Sequence, residues 1–160
     1  MLIKNLQDED FTNYKKACMF IGTSKCNWKC CIEQNLDISI CQNSALATSR
    51  TLDVTVESIF NRYINNPITK AIVIGGLEPM LQFEEIFNFI DYFRSHGCMD
   101  DIVIYTGYYK DEIKDEIEKL KQFKNIIIKF GRYIPGHDKH LDETLGIQLA
   151  SDNQYAERIS

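Results

Sequence analysis

The sequence predicts an α/β protein in which amphipathic helices cover a parallel sheet. Short, continuously apolar segments of the kind that form buried strands alternate along the chain with longer segments of helical periodicity. Hydrophobic residues make up 44% of the 160 residues, which is enough to build the core of one domain of ordinary size. We therefore predict a single domain over residues 1–160, with no internal repeat.

Apolar segments predict the buried strands of this sheet, and each is followed by glycine or polar residues. β-branched residues dominate most of these segments, as is typical of strands that are buried on both faces. The strands are predicted at residues 18–21, 71–74, 102–105 and 126–128, with a fifth at 146–150.

Apolar residues recur at helical spacing in the segments between these strands. The first helix follows Asp53 and Thr55, two residue types that favour helix N-termini, and it ends before Pro67. In the third helix, acidic residues occupy the first turn and lysines the last turn, which matches the helix dipole. The apolar faces consist of Val56, Ile59, Phe60, Tyr63 and Ile64 in the first helix, of Phe83, Ile86, Phe87, Ile90 and Phe93 in the second, and of Ile113, Ile117 and Leu120 in the third.

The segments that follow the predicted strands contain the residues most typical of a functional site. In parallel α/β folds such segments meet at the carboxyl edge of the sheet. A long loop that carries several cysteines, here called the cysteine loop, follows the first strand at about residues 22–50. Shorter loops follow the other strands at residues 75–79, 106–108 and 131–133. The sequence therefore predicts one shared site at this edge.

Composition excludes several classes of function. The formal net charge of −5 provides no basic surface for binding nucleic acid. No uninterrupted apolar run is long enough to span a bilayer, and the acidic N-terminus lacks the apolar core of a signal peptide. We therefore expect a cytoplasmic protein with no nucleic-acid or membrane partner. In a reducing cytoplasm its six cysteines would be thiols or metal ligands and not disulfides.

Four of the six cysteines, Cys26, Cys30, Cys31 and Cys41, are clustered in the cysteine loop, and this clustering indicates a metal site. Iron–sulfur clusters are usually held by four thiolates, so a set of three leaves one iron open to a second ligand. Adjacent side chains usually diverge, which favours Cys41 over Cys31 as the partner of Cys26 and Cys30 but leaves the choice open. A structural zinc site is the alternative, although the loop lacks the paired C-x-x-C spacing that such sites often have.

The cysteine loop resembles the cluster-binding loop of the radical S-adenosylmethionine (SAM) superfamily. In that superfamily three residues separate the first two cysteines, and two residues separate the second from the third. Cys26 and Cys30 match the first spacing, whereas Glu33 occupies the usual third position. Cys41, with Asn43 shortly after it, resembles the third cysteine displaced by an insertion of eight residues. The resemblance implies that Cys26, Cys30 and Cys41 bind a [4Fe–4S] cluster and that Asn43 contacts the cofactor.

The segment Gly75-Gly76-Leu77-Glu78-Pro79 resembles the glycine-glycine-glutamate-proline segment that holds the methionine amino group of SAM in this superfamily. Glycines at a strand end expose backbone polar groups, and a carboxylate beside them can accept hydrogen bonds from an ammonium group. The alternative is an ordinary strand-to-helix turn with Glu78 in the first helical turn. The resemblance implies that SAM is bound by Gly75, Gly76, Glu78 and Pro79.

Further segments resemble the activating enzyme of anaerobic (class III) ribonucleotide reductase. They are residues 104–108, at the end of the third predicted strand, residues 131–133, after the fourth, and residues 151–154 near the C-terminus. The resemblance extends over about residues 19–154 and implies that Tyr105 and Thr106 also contact the cofactor. It further implies a partial (β/α) barrel with a mostly parallel sheet of about five or six strands, fewer than in a full barrel.

The function implied by the resemblance is that of a radical SAM oxidoreductase. Such an enzyme reductively cleaves SAM at a [4Fe–4S] cluster and forms a 5′-deoxyadenosyl radical, which abstracts hydrogen from a glycine of a glycyl-radical enzyme such as anaerobic ribonucleotide reductase. An electron donor such as flavodoxin or ferredoxin would reduce the cluster. Because the cofactors supply the chemistry, we assign no side chain as acid, base or nucleophile.

Other functions remain open at the level of the sequence. The first is radical SAM chemistry on another protein or peptide, which the insertion before Cys41 makes a serious alternative. The second is a non-enzymatic iron–sulfur protein that transfers electrons or senses redox state. The third is a zinc-stabilised interaction module.

Overall fold

The computed structural model describes residues 1–160 and contains nine strands and five α-helices. The strands are β1 (Leu2–Asp10), β2 (Cys18–Thr23), β3 (Leu52–Asp53), β4 (Ala71–Gly75), β5 (Asp101–Tyr105), β6 (Ile126–Phe130), β7 (His140–Asp142), β8 (Ile147–Leu149) and β9 (Tyr155–Arg158). The helices are α1 (Lys29–Ile32), α2 (Ser44–Thr48), α3 (Val56–Ile64), α4 (Phe83–Ser95) and α5 (Lys114–Leu120). None of these helices has the length and apolar character needed to cross a membrane.

The main sheet has seven strands in the order β3-β1-β2-β4-β5-β6-β9. Its four central strands are parallel, with Met19, Ile72, Ile102 and Ile126 in register across β2, β4, β5 and β6. On one side β1 pairs antiparallel with both β2 and β3, and on the other side β9 pairs antiparallel with β6. The sheet is therefore mixed, with a parallel centre and antiparallel flanks.

The predicted partial (β/α) barrel with a mostly parallel sheet of five or six strands is wrong. A barrel of this kind continues the parallel sheet around an axis and places a helix outside each strand. Here the sheet is open, because antiparallel strands occupy both of its sides and end it at β3 and β9. The segments that precede and follow the parallel strands thus extend the sheet as antiparallel flanks and do not extend a barrel.

One face of the sheet packs against the helices. The larger hydrophobic core has 22 buried residues and joins β2, β4, β5 and β6 to α3, α4 and α5. Alternate strand residues such as Ile72 and Ile74 belong to this core, as the two-residue period of a strand requires. Thr55 begins α3 by accepting a hydrogen bond from the amide of Ser58, as its residue type predicts.

The opposite face of the sheet is covered without helices. A second core of eight buried residues includes Val73 and Ile127 from the central strands. Tyr14, from the turn between β1 and β2, and Leu145 and Leu149, from the β7–β8 hairpin, pack onto the same face. The predicted fifth strand is present as β8, but it pairs with β7 in this hairpin and not with the main sheet.

The predicted buried strands and the three predicted helices are confirmed as β2, β4, β5 and β6 and as α3, α4 and α5. The four parallel strands end at Thr23, Gly75, Tyr105 and Phe130. Because parallel strands place their carboxyl ends at the same edge, the loops that follow them lie close together. This edge positions the candidate site.

Candidate metal centre

Three of the four clustered cysteines border one cavity at the carboxyl edge of the sheet. Cys26 lies just before α1, Cys30 lies within it, and Cys41 follows a 3-10 turn at Ile38–Ile40. All three border a cavity of about 420 Å³. Cys31 does not border this cavity and is 3% exposed, although its Sγ atom lies 4.0 Å from that of Cys30. Cys31 thus lies next to Cys30 but outside the lining of the cavity that the other three cysteines share.

Local turns set the spacing of the cysteines. Trp28 has left-handed backbone angles, with a φ of 57°, and turns the chain between Cys26 and the start of α1. Positive φ is uncommon for a residue other than glycine. The Asp37 carboxylate accepts a hydrogen bond from the Ser39 amide at 2.8 Å and begins the 3-10 turn that leads to Cys41. The loop therefore reaches the cavity through specific turns and not through a continuous helix.

Two backbone amides donate hydrogen bonds to cysteine sulfur atoms. The Trp28 nitrogen lies 3.3 Å from Sγ of Cys26, and the Asn43 nitrogen lies 3.4 Å from Sγ of Cys41. Hydrogen bonds of this kind tune the reduction potential of a cluster that the sulfur atoms bind. Asn43, which the resemblance places near the cofactor, also borders the cavity.

The thiols of Cys30 and Cys41 affect each other's protonation. Interaction with Cys41 lowers the pKa of Cys30, and interaction with Cys30 raises the pKa of Cys41. Burial raises the pKa of Cys26, and the negative charges of Glu78 and Cys41 act in the same direction. The three sulfur atoms are thus close enough to influence one another.

The donor set fits an iron–sulfur cluster better than it fits a single ion. In a [4Fe–4S] cluster each thiolate binds a different iron, so the ligands must surround a space and not converge on one point. Cys26, Cys30 and Cys41 surround a shared cavity in this way. Across residues 1–160, no group of three or more His, Cys, Asp or Glu side chains is placed to hold a single metal ion.

Glu78 is buried at the edge of the same cavity, beyond the end of β4. Its carboxylate accepts hydrogen bonds from the Met80 amide at 3.0 Å, the Thr106 hydroxyl at 2.7 Å and the Gly107 amide at 2.9 Å. Burial raises the pKa of Glu78, and these hydrogen bonds oppose that shift. Glu78 also begins the 3-10 turn Pro79–Gln82. Glu78 therefore both caps this turn and lines the cavity.

Gly76 is required both by its backbone angles and by its neighbours. Its φ is +81°, and a Cβ atom at this position would lie 2.6 Å from Cδ2 of Leu46 and 3.2 Å from Cα of Gly22. Left-handed backbone of this kind favours glycine, and a side chain here would force Leu46 and Gly22 to shift. Because Leu46 belongs to α2, the glycine allows the last part of the cysteine loop to pack directly on β2 and β4.

The structure places most of the predicted cofactor-binding residues around the cavity. The predicted residues that border the cavity are Asn43, Gly76, Glu78, Tyr105 and Thr106. Gly75, the last residue of β4, and Pro79, the first residue of the 3-10 turn, do not border it.

Lys129 is a cavity residue that the sequence reasoning missed. It lies in β6, is 7% exposed, and donates a hydrogen bond from Nζ to the Gly131 carbonyl at 2.9 Å. Burial lowers the pKa of Lys129 to about 8, while the negative charges of Glu78 and Cys30 act in the opposite direction. The sequence contains a sign of this residue's importance, because Lys129 is the one charged residue in the buried strand Ile126–Phe130.

The turn between β1 and β2 supplies two more cavity residues, Thr12 and Asn13. The Asp10 carboxylate accepts hydrogen bonds from the two backbone amides at 2.6 and 3.1 Å. The Tyr105 hydroxyl donates to the Asn13 carbonyl at 2.5 Å, and burial raises the pKa of Tyr105 so that it stays protonated. The sequence reasoning missed this turn because it did not predict β1.

A group of charged residues ties the cysteine loop to the segments that follow β5 and β6. Arg132, whose side chain is 5% exposed, donates to the two carboxylate oxygens of Glu112 at 2.7 and 2.8 Å and to Glu33 at 3.0 Å. Lys29 forms a further ion pair with Glu112. We call Lys29, Glu33, Glu112 and Arg132 the loop clamp. It holds α1, and with it Cys30, against the edge of the sheet.

The loop clamp predicts an acid-dependent loss of stability. Hydrogen bonds from Arg132 lower the pKa of Glu112 from 4.5 to about 2. A carboxylate whose pKa is lower in the folded than in the unfolded protein stabilises the fold at pH values above the unfolded-state pKa. This stabilisation is lost as the pH falls from the unfolded-state pKa to the folded-state pKa. Between pH 4.5 and about 2, we therefore expect the free energy of unfolding to decrease less in Glu112→Gln than in the wild type.

Urea denaturation of the metal-free protein at several pH values measures this difference. Comparing the two proteins removes the contributions of the other carboxylates, which titrate in both. Identical pH dependence in the wild type and in Glu112→Gln would show that the clamp does not hold Glu112 in its charged form.

Comparison with known proteins identifies a family that this chain matches. The sequence model of the family described as "4Fe-4S single cluster domain" matches residues 15–155. The matched range contains all four clustered cysteines, together with Glu78 and Lys129. No curated protein and no solved structure matches the chain.

Proposed function

The chain belongs to the family of 4Fe-4S single cluster domains, and on this premise we propose that it is a radical SAM enzyme. As a member of that family it is an iron–sulfur protein. Cys26, Cys30 and Cys41 would bind the cluster. The observation that carries the proposal is that these three thiols border one cavity, whereas the fourth clustered cysteine, Cys31, does not. Three protein ligands leave one iron available to SAM.

When bound, the cofactors would supply the chemistry: a reduced cluster would give one electron to the sulfonium of SAM, and cleavage of the bond to the ribose would yield methionine and a 5′-deoxyadenosyl radical. The residues of the chain would bind and orient SAM. A carboxylate has about four acceptor sites. Glu78 uses some of them for Met80, Thr106 and Gly107, and it can still accept a hydrogen bond from the amino group of SAM. The β7–β8 hairpin borders the cavity and would limit the access of water.

We propose a glycyl-radical enzyme, such as anaerobic ribonucleotide reductase, as the acceptor of the radical. Ile32, Ile38 and Ile40 lie on the cysteine loop and are 69%, 45% and 47% exposed. Exposed apolar side chains next to a site suit contact with a protein substrate. The same surface would serve another protein or peptide. Flavodoxin or ferredoxin would reduce the cluster, and we place the reaction in the cytoplasm.

Reductive cleavage of SAM tests the proposal. The protein is reconstituted with iron and sulfide in the absence of oxygen and mixed with SAM and dithionite, and 5′-deoxyadenosine is measured by chromatography. We expect the product from the wild type and from Cys98→Ala, because Cys98 does not border the cavity, and none from Cys30→Ala. A protein that assembles its cluster but forms no 5′-deoxyadenosine would be an electron carrier or a redox sensor, and the proposed enzyme would be rejected.

Replacing Glu78 with glutamine should separate SAM binding from cluster assembly. A hydrogen bond to a charged group contributes about 1.5–3 kcal/mol, so we expect Glu78→Gln to weaken SAM binding roughly tenfold or more. Iron content should stay at the wild-type value, because Glu78 is not a proposed cluster ligand. Equilibrium binding and iron analysis measure the two effects, with Glu84→Gln as the matched control because Glu84 is 78% exposed. Unchanged SAM affinity would leave Glu78 only its role in the 3-10 turn.

A further inference from the structure

Strand β8 presents an edge, and not one of its faces, to the cavity. Four consecutive residues of the hairpin, from Ile147 to Ala150, all border the cavity. Successive side chains of a strand point to opposite faces, so a strand that borders a space with one face contributes every second residue. The lining by consecutive residues therefore indicates that the edge of β8 that faces away from β7 is directed into the cavity.

This edge carries backbone groups without a partner. β8 pairs with β7 in a sheet of two strands that is separate from the main sheet. In an antiparallel pair, every second residue directs both its N–H and its carbonyl away from the neighbouring strand. Beyond the pairing with β7, the backbone of residues 147–149 makes no hydrogen bond within the chain, whereas the next amide, that of Ala150, donates to Gln154 at 3.1 Å. The edge thus offers backbone donors and acceptors to a ligand in the cavity.

The edge of β8 lacks the features that protect the other sheet edges of the molecule. Proteins prevent pairing at free edges with charged side chains or with very short strands. The outer strands of the main sheet have both features, because β3 has two residues and includes Asp53, and β9 includes Glu157 and Arg158. β8 consists of isoleucine, glutamine and leucine and has no charged side chain. Its composition therefore permits another strand to pair with it.

We infer that an extended segment of the protein substrate pairs with β8 as an added strand and so enters the cavity that Cys26, Cys30 and Cys41 also border. An extended backbone has donors and acceptors at the spacing of a strand edge, and strand addition is a recurrent mode of peptide recognition. The inference rests on the proposed function. In the reaction, a hydrogen atom would move from the Cα atom of a glycine in this segment to the 5′ carbon of the deoxyadenosyl radical. The products are 5′-deoxyadenosine and a radical on the glycine.

Hydrogen exchange and a series of methylated peptides test this pairing. The probe is a blocked peptide of alternating threonine and valine residues with one central glycine, added at millimolar concentration to the reconstituted protein with SAM. We expect the peptide to slow amide exchange at residues 147–150 and not at residues 155–158, the edge strand β9, which is the internal control. Methylation of one peptide nitrogen at a time removes one donor. We expect it to weaken binding at least about threefold at alternate positions and to have little effect between them.

A lysine placed on the edge of β8 should block the added strand, because lysine on an edge strand opposes pairing. We expect Gln148→Lys to weaken binding of the peptide at least about tenfold, since several backbone hydrogen bonds are lost together. Leu141→Lys is the matched control and should leave binding unchanged. Leu141 lies opposite Gln148 in the same hairpin, is 64% exposed and does not border the cavity.

Formation of 5′-deoxyadenosine in the absence of peptide, measured on the same reconstituted protein, separates this inference from the proposed function. The inference is overturned, and the proposed function stays intact, if the nucleoside forms but the peptide does not bind or does not protect residues 147–150. Methylation effects that do not alternate along the peptide, or equal effects of Gln148→Lys and Leu141→Lys, also overturn it. A protein that assembles its cluster but forms no 5′-deoxyadenosine overturns the proposed function and the inference with it.

Discussion

Replacing Cys41 with alanine is expected to abolish assembly of the [4Fe–4S] cluster, whereas replacing Cys31 should leave it in place. Cys41 borders the cavity together with Cys26 and Cys30, and interaction with Cys41 lowers the pKa of Cys30. Without Cys41 only two of the proposed thiolate ligands remain, which is too few to hold the cluster. Cys31 is buried outside the cavity, so its loss removes only a small core side chain.

Iron and acid-labile sulfide per chain, measured after anaerobic reconstitution, test this difference. We expect Cys31→Ala to bind about four irons per chain and Cys41→Ala to bind close to none. Cys98→Ala is the matched control, because Cys98 is a partly buried cysteine far from the loop in sequence. The reverse pattern, with Cys31→Ala empty and Cys41→Ala loaded, would make Cys31 the third ligand.

Replacing Arg132 with methionine is expected to release the cysteine loop from the sheet. The change removes the paired hydrogen bonds to Glu112 and the bond to Glu33, and it leaves Lys29 as the only clamp partner of Glu112. It also removes the stacking of the guanidinium on Tyr109, whose ring centre lies 4.7 Å away. Breaking a buried ion pair costs about 3–5 kcal/mol. Because Glu33 and Glu112 are partly exposed, we expect a loss of roughly 2–4 kcal/mol.

Urea denaturation of the metal-free protein measures this loss. Arg62→Met is the matched control, because Arg62 pairs with Asp8 through side chains that are 51% and 37% exposed. An exposed pair contributes at most about 1 kcal/mol. We also expect Arg132→Met to bind less iron than Arg62→Met on reconstitution. Equal stability losses in the two variants, with equal iron contents, would show that the clamp does not position the loop.

The central strands and their helices could be predicted because their signals are local. Segments such as Ala71–Gly75 are buried on both faces and read as continuous apolar runs. The outer strands could not be predicted in the same way. β1 contains polar and acidic residues along most of its length, and β9 is largely exposed, because strands at the flanks of a sheet are only partly buried.

The barrel was predicted wrongly for a related reason. Whether a sheet closes or stays open depends on how its outermost strands pair, and that pairing joins distant parts of the chain. Here β2 turns back antiparallel along β1, and β9 returns antiparallel along β6. Neither pairing has a strong local signal, since β1 and β9, the outer strand of each pair, are polar.

In the site, too, some residues could be predicted from local sequence, whereas others depend on contacts between distant parts of the chain. The positions of Cys26, Cys30 and Cys41 after one strand, and of Glu78 after the next, predicted that these residues share an edge, and the structure brings them to one cavity. The loop clamp could not be predicted, because Arg132 reaches Glu33 across 99 positions of sequence. Lys129 could have been found, because a lone lysine in a buried strand requires an explanation.

Mössbauer spectroscopy of protein reconstituted with iron-57, recorded with and without SAM, tests the open iron most directly. If Cys26, Cys30 and Cys41 are the only protein ligands, one iron of the [4Fe–4S] cluster differs from the others. We predict that the signal of this iron changes when SAM is added, while the other signals do not. A spectrum in which all irons are equivalent and unaffected by SAM would mean that the chain itself occupies every iron, and it would contradict the proposed enzyme.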